Sequence, residues 1–373
     1  MRWDTDSRLR FVTDRADDIY AQVTAGERLV LADVAYRAAE LFPGLVPTWD
    51  EIAEERRHDQ ADKAGREIEQ GILFSGLFGS ARSGGHLLDT MRQPTDRSIA
   101  LLPEFRANGQ LKLETVHLER RDGAAHVTIH NPQVLNAEND QLVEDLETAV
   151  DLALLDDEVR VGVLRGGVVS HPKYVGRRVF SAGINLTDLH HGRISFVDFL
   201  LRREAGFIHK IVRGLLSGAE KPWVGAVDSF AIGGGLQLLL VLDKVIAEEG
   251  AYFSLPAAHE GIVPGVANLR LTRLTGGRLA RRIILGGRRV HTSDPDARLL
   301  CDEIVPAQLM DEAVDAAVAD LSAPAVLANR RMLNLAEEPP ELFRRYLAAF
   351  SFEQAKRMYS PDVLASVARK ARR

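Results

Sequence analysis

Apolar residues recur at three- and four-residue spacing through the first third of this 373-residue chain. RADDIYAQV, ERLVLADVAYRAAELF and WDEIAEERRHDQADKAGREIEQGILF all carry this spacing, which predicts helices. The Gly- and Ser-rich stretch FGSARSGGH is expected to interrupt them. Leu29, Leu31, Val34, Leu41 and Phe42 are too apolar for a loose leader. Residues 1–112 are therefore expected to form a helical extension packed on the rest of the chain or on a partner subunit. From about Glu114 the period changes to two. TVHLERR and AAHVTIH alternate, and the DG between them predicts a hairpin. A helix is expected over about 137–155, then a strand at VRVGVLRG and another at RRVFSAGI that ends in a glycine turn. A long helix over 196–216 should lead to the strand KPWVGAVD, and DKVIAEE and YFSLP supply further strands. Beyond Pro264 the pattern is almost wholly helical. Strands alternating with helices predict an α/β core over 113–322, with 323–373 as a helical cap or oligomerisation surface.

Composition excludes several function classes. At 46% hydrophobic and 27% charged, with a net charge of −6, the chain is ordinary for a soluble protein. The mild acidity argues against broad nucleic-acid binding. No run approaches the roughly eighteen apolar residues of a membrane span, and MRWDTDSRLRF is too charged for a secretory signal. The single cysteine, Cys301, rules out an internal disulfide and fits a reducing cytoplasm. Eleven histidines invite a metal, but HExxH and cysteine pairs are absent, and the adjacent His190 and His191 are expected to point apart. No metal site is expected. With no P-loop and no GxGxxG after a strand, no nucleotide or dinucleotide cofactor is expected either.

The candidate chemistry lies in AIGGGLQLLL, residues 231–240. Three glycines open an apolar helix, although each costs about 1 kcal/mol there against alanine. A helix N-terminus presents unpaired N–H groups and partial positive charge. Glycine lets an oxygen reach them with no Cβ in the way; tight helix packing explains such a run equally well. FSAGIN supplies a second strand-to-helix turn, with an N–H at Ile184. Two such donors suit the oxygen of a thioester enolate.

NPQVLNAEN, VFSAGINL, DSFAIGGGLQLLL and FSLPAAHEGIVPG stand in the order and near the spacing of the crotonase, or enoyl-CoA hydratase/isomerase, family. The chain resembles that family over about 115–320. The resemblance implies a spiral ββα core, an acyl-CoA substrate, and assembly as a trimer or hexamer. It implies Ile184 and Gly234 as the oxyanion donors, with coenzyme A crossing the strand ends near Val134, Ala182 and Gly183. Asn185, Pro264 and Gly265 are placed beside the substrate on the same basis. Lys173, with Arg177 and Arg178 in HPKYVGRR, is either a contact for the CoA phosphates or part of a solvated loop.

Both hydratase glutamates are missing. Gln237 stands three residues after the middle glycine, and Ala257 follows Pro256. Neither side chain exchanges a proton near neutral pH. The helical extension, Glu138 in NAEN, the run FLLRRE and Gln237 in GGGLQ resemble a narrower branch, the (3,5-dihydroxyphenyl)acetyl-CoA 1,2-dioxygenases. That branch serves the pathway to dihydroxyphenylglycine, a building block of glycopeptide antibiotics. The resemblance implies a dioxygenase that needs neither metal nor flavin, takes O2 as co-substrate and releases free CoA. Glu138 is then expected at one ring hydroxyl, the alternative being an exposed first-turn glutamate of a helix. Arg203 is expected at the other hydroxyl, with Arg202 as the alternative inward residue. Gln237 is expected to donate to substrate or peroxide. His259 and Glu260 read as surface or structural, although a relocated acid/base pair would make the protein a thioester hydrolase or a hydratase-like lyase. A non-catalytic acyl-CoA-binding protein is the third reading.

Overall fold

The computed structural model describes residues 4–371; residues 1–3 and 372–373, the outer ends of the expected extension and cap, lie outside the described residues. The extension consists of α1 (Thr5–Asp14), α2 (Ala16–Thr24), α3 (Leu31–Leu41), α4 (Trp49–Glu55), α5 (Glu67–Gly79), α6 (Ala81–Met91) and α7 (Asp96–Asn108). A capping box between Thr48 and Glu51 starts α4, Thr95 caps α7, and Gly109 ends α7 in the left-handed region. FGSARSGGH interrupts the helical pattern at Ser80 alone. Ser80 ends α5 and caps α6 by accepting from the N–H groups of Arg82 and Ser83. Helix α6 runs through Gly84 because it packs on α5's own backbone; a Cβ there would lie 2.8 Å from Phe78 Cα.

The core opens with β1 (Gln110–Lys112), β2 (Val116–Arg121) and β3 (Ala124–Ile129). Asp122 and Gly123, both at positive φ, make the expected hairpin turn between β2 and β3. Helix α8 (Asp140–Leu155) and β4 (Val161–Gly166) follow. RRVFSAGI is not a continuous strand; it pairs through isolated bridges, Val168 with Arg178, Ser181 with Ala231 and Glu138 with Ile184. After α9 (Leu186–His190), the helix expected over 196–216 is broken. It comprises a wide π-helical segment (Phe196–Leu201), α10 (Arg202–Ala205) and α11 (Phe207–Arg213), separated at Gly206. A Cβ at Gly206 would lie 2.8 Å from Glu147 Oε1, so α8 packs directly onto the break. The wide turn and the break together set the direction in which Arg202, Arg203 and Glu204 project.

Next come β5 (Trp223–Val227), β6 (Phe230–Ile232), α12 (Gly234–Leu239), β7 (Lys244–Glu248), β8 (Tyr252–Ser254), α13 (Ala257–Glu260) and α14 (Ala267–Ile284). The region beyond Pro264 is not purely helical, because β9 (Val290–His291) and β10 (Glu303–Val305) precede α15 (Met310–Leu321), α16 (Val326–Glu337), α17 (Pro340–Met358) and α18 (Pro361–Ala371). Among the described residues one sheet has the order β1-β2-β3-β4-β5-β7-β10, antiparallel through β3 and parallel from there on. A smaller sheet has the order β6-β8-β9. Alternation along the parallel strands splits the core. Val161, Val163, Val224, Ala226 and Ile246 face α15, while Leu164, Trp223, Val227 and Val245 join the main core.

The extension is tied to the core by buried carboxylates. On α8, Asp145 accepts from Arg97 Nη1 (2.8 Å) and Thr115 N (2.7 Å), and Asp151 accepts from Thr95 N (2.8 Å) and Ser98 Oγ (2.9 Å). On α5, Glu67 accepts from Phe196 N (2.8 Å) and from Tyr359 Oη (2.5 Å). One extension side chain thus holds both the π-helical segment and the end of α17. No helix among the described residues is long and apolar enough to cross a membrane.

Candidate active site

The site begins where two turns meet. Ser181 Oγ donates to Asn136 O (2.8 Å) and accepts from Gly183 N (3.0 Å), which fixes the turn after RRVFS. Glu138 N donates to Gly183 O (2.7 Å) and Asn185 N to Glu138 O (2.8 Å). Ile184 is therefore bridged on both sides while its own N–H, by the alternation of a parallel ladder, points the other way. The second turn enters α12 through Gly233, at φ +54 and ψ −118, a conformation closed to other residues. A Cβ on Gly183 would lie 3.0 Å from Gly234 N, so the two turns are in direct contact. Among the described residues neither Ile184 N–H nor Gly234 N–H has a hydrogen-bond acceptor. Both donors are free beside the same space.

Each glycine of the run has its own neighbour. A Cβ on Gly234 would meet Glu138 Oε1 at 2.1 Å, and one on Gly235 would meet Ser181 Cβ at 2.9 Å. The missing side chain at Gly234 thus makes room for a carboxylate of the protein as well as for a ligand oxygen. Glu138 is fully buried and lies before α8, whose cap is Asn139, so it is not an exposed first-turn glutamate.

Arg203 organises what surrounds that carboxylate. Its Nε donates to Glu138 Oε2 (2.5 Å) and its Nη2 to Glu138 Oε1 (3.2 Å) and Gly234 O (2.8 Å). Its Nη1 donates to Glu204 Oε1 (3.0 Å) and Gln237 Oε1 (3.2 Å). All five guanidinium protons are engaged. Arg202 instead pairs with Glu147 behind the helix, so Arg203 is the inward residue of the two. Burial pulls the Arg203 guanidinium down, but Glu138 and Glu204 outweigh it and hold the group above its usual range. Glu204 Oε2 accepts from Arg270 Nη1 (3.1 Å), and Arg270 in turn pairs with Glu338 (2.8 Å). Gln237 spends its carbonyl oxygen on Arg203, and among the described residues its amide nitrogen has no acceptor.

Glu138, Ile184, Arg203, Glu204, Gly234 and Gln237 line one cleft. Its walls combine polar side chains with Phe199, Leu200, Leu255, Ile262, Val263 and Phe350, so a polar cluster faces an apolar enclosure. Tyr346, half-buried behind Gly265, donates to Gly265 O (3.1 Å); desolvation pushes its hydroxyl up to about 12, so it stays protonated.

The structure gathers Ile184, Gly234, Gln237, Glu138, Arg203, Pro264 and Gly265 on this cleft. Val134, Ala182, Gly183, Asn185 and Lys173 do not line it. Ala182 N donates to Leu135 O, next to Val134, which keeps those residues at the shoulder of the first turn. Asn185 caps α9 by accepting from Thr187 N and Asp188 N. Lys173 lies over the Tyr174 ring at 5.2 Å, and Arg178 donates to Gly166 O. Ala257, at the second lost glutamate position, lines the cleft, and so does Glu260. His259 is exposed and lies against Gly287. Sequence reasoning missed Glu204, Phe199 and Leu200, and it missed Phe350 and Gln354, which arrive from α17.

Known proteins place the chain. The sequence profile of the enoyl-CoA hydratase/isomerase family matches residues 119–337. A (3,5-dihydroxyphenyl)acetyl-CoA 1,2-dioxygenase of Amycolatopsis orientalis is 56% identical over 370 residues, covering 97% of this chain and 85% of that protein. A probable enoyl-CoA hydratase of Rhizobium meliloti is 31% identical over 229 residues, 60% of this chain and 82% of its own. The solved structure of an enoyl-CoA hydratase from Mycobacterium avium subsp. paratuberculosis superposes with a TM-score of 0.59 at 24% identity, covering 69% of this chain and 99% of that one. The core thus has the crotonase fold, with helices added at both ends, and the chain belongs to the enoyl-CoA hydratase/isomerase family.

Proposed function

We propose that the protein is a dioxygenase that converts (3,5-dihydroxyphenyl)acetyl-CoA and O2 into 3,5-dihydroxyphenylglyoxylate and free CoA. The observation that carries this reading is the 56% identity to the dioxygenase of that name over 97% of the chain. The site agrees with it. Free N–H groups of Ile184 and Gly234 suit an enolate oxygen, while Gln237 and Ala257 occupy the places of the hydratase acids. An arylacetyl thioester is acidic at its α-carbon because charge spreads into carbonyl and ring. Each oxyanion donor is worth on the order of 10²–10³ in rate.

The resulting carbanion is electron-rich enough to pass one electron to O2 without a cofactor. Recombination forms a C–O bond and leaves a peroxide on the α-carbon. Its terminal oxygen attacks the thioester carbon and expels the CoA thiolate. Loss of the remaining α-proton then breaks the O–O bond and leaves the α-keto acid. Both oxygen atoms stay in that acid, and the two α-protons balance the carboxyl and thiol groups. In this reading the apolar walls exclude water, and Glu138 has lone pairs left to accept from a ring hydroxyl. Arg203, with every donor engaged, orients Glu138 and Gln237 rather than reaching the ring itself. The free amide of Gln237 donates to substrate or peroxide. Val134, Ala182, Gly183, Asn185 and Lys173 are left for the CoA portion outside the cleft.

A hydrolase built on His259 and Glu260 finds less support, because His259 is exposed and does not line the cleft. The test is oxygen dependence. With the aryl thioester, CoA release should match oxygen uptake one to one and stop under argon; release that continues anaerobically favours hydrolysis. The extension and the helices beyond residue 322 are further proposed to serve assembly into a trimer or hexamer, which light scattering at micromolar concentration checks.

A further inference from the structure

The sequence led us to expect His190 and His191 to point apart, and the structure shows otherwise. His190 ends α9 and His191 follows it, their ring centroids 5.0 Å apart. Both turn toward Asp59, in the segment between α4 and the 3₁₀ turn Gln60–Asp62 of the extension. His191 Nδ1 lies 3.0 Å from Asp59 Oδ1 and His190 Nε2 4.0 Å from Asp59 Oδ2. One donor atom from each residue can be chosen so that all lie within 4.8 Å of one another. None of the three lines the catalytic cleft.

We propose that Asp59, His190 and His191 form a three-ligand site for a divalent transition-metal cation, with zinc as the best chemical match. Two imidazole nitrogens and one carboxylate oxygen are the donors zinc takes, and solvent would fill the fourth tetrahedral position. Zinc–ligand bonds of about 2.0–2.1 Å require donor separations of roughly 3.3 Å. The two separations from Asp59 run to its two different oxygens, and with one donor atom per residue all separations fall within 4.8 Å, so side-chain rotations that draw the three donors together bring the set onto an ion. The backbone beneath is rigid. Gly192, at φ +66, passes so close to the extension that a Cβ would lie 2.2 Å from His58 O and 2.7 Å from Lys63 Cε. The nearby cations are already matched by carboxylates, Arg193 by Asp188 (2.8 Å) and Lys63 by Glu67 (4.0 Å). The side chains are 21%, 43% and 45% exposed for His190, His191 and Asp59, which leaves a path for the ion. The two histidines come from the core and the aspartate from the extension. A bound ion would therefore clip the extension to the helix that starts two residues after Ile184.

The test uses full-length, tag-free protein stripped with chelator and titrated with ZnCl2 by calorimetry, with Co2+ visible absorption as a second readout. One ion should bind per chain. Asp59→Ala, His190→Ala and His191→Ala should each weaken binding roughly tenfold or more, the loss that even an outer-shell change causes. His259→Ala, an exposed histidine elsewhere, should leave it unchanged. Zinc should raise the unfolding temperature of the parent and not of the His190→Ala/His191→Ala double variant. Absence of saturable binding, or binding that the double variant retains in full, overturns the proposal.

Discussion

Gln237→Glu restores the lost hydratase carboxylate with almost no change of shape, and the surroundings of residue 237 fix what should follow. The new carboxylate would sit about 3.2 Å from Arg203 Nη1, an attraction of about 5 kcal/mol at an effective dielectric near 20. Glu204 opposes it. Both oxygens crowd the same face of Gly265, at 2.1 and 2.8 Å from a Cβ built there, so they lie at most about 5 Å apart and repel by roughly 3 kcal/mol. Glu138, on the same guanidinium, adds further repulsion, and burial adds a desolvation cost. The attraction is thus largely cancelled, and the new acid's pKa is raised toward neutrality. A raised pKa means that the group is protonated below it and can return a proton to the α-carbanion. The variant should therefore consume oxygen on the order of 10²-fold more slowly, the low end of what one positioned acid contributes. It should still exchange the α-protons of the substrate with solvent deuterium, and exchange should gain on oxygenation as pH falls. An oxygen electrode and mass analysis of thioester recovered from D2O measure the two rates. Oxygen uptake as fast as the parent's would show that loss of the family carboxylates has nothing to do with protecting the carbanion. Gln237→Ala is the companion: it should slow oxygenation while acyl-CoA binding stays within a few-fold.

Three further outcomes follow from the same geometry. Glu138→Ala leaves the buried Arg203 with Glu204 as its remaining carboxylate partner and should cost about 3 kcal/mol in urea unfolding, the low end for breaking a buried pair, while Glu138→Leu combined with Arg203→Met should cost clearly less than the sum of the single changes; additive losses would mean the pair is not coupled. Gly234→Ala places a methyl 2.1 Å from Glu138 Oε1, so kcat/KM should fall on the order of 10² with circular dichroism unchanged, and wild-type turnover would refute the close approach. Turnover should survive exhaustive chelation without flavin or haem absorbance in the active protein; activity lost on chelation and restored by one metal in the His190→Ala/His191→Ala variant as well as in the parent would put a cation into the chemistry and contradict the proposed mechanism.

The features legible in sequence were those carried by local physics. Alternation plus Asp-Gly placed the β2–β3 hairpin, and glycines at strand-to-helix junctions marked the two turns whose free N–H groups meet at the cleft. Long-range features were not legible. Arg203 is expected to face the ligand, but its charged run reads equally as a solvated helix face and leaves Arg202 as an alternative and Glu204 unremarked; the π-helical turn and the break at Gly206 set which of them is buried inward. Glu138 is expected at a ring hydroxyl with an exposed helix-start residue as the alternative, and the local pattern does not separate the two because its burial depends on Arg203, 65 positions away. Phe350 and Gln354 reach the cleft from a helix whose own pattern says nothing about a ligand. RRVFSAGI was misread as a strand because its apolar residues are extended, while its hydrogen bonds go to loops and isolated bridges.

The central claim is that an oxyanion-stabilised carbanion in this cleft reacts directly with O2. Incubation with (3,5-dihydroxyphenyl)acetyl-CoA under ¹⁸O2, followed by mass analysis of the acid released, tests it most directly. The mechanism predicts 3,5-dihydroxyphenylglyoxylate carrying two ¹⁸O atoms, one on the former α-carbon and one in the carboxyl group. Unlabelled 3,5-dihydroxyphenylacetate, or a keto acid whose carboxyl oxygen comes from water, would contradict it.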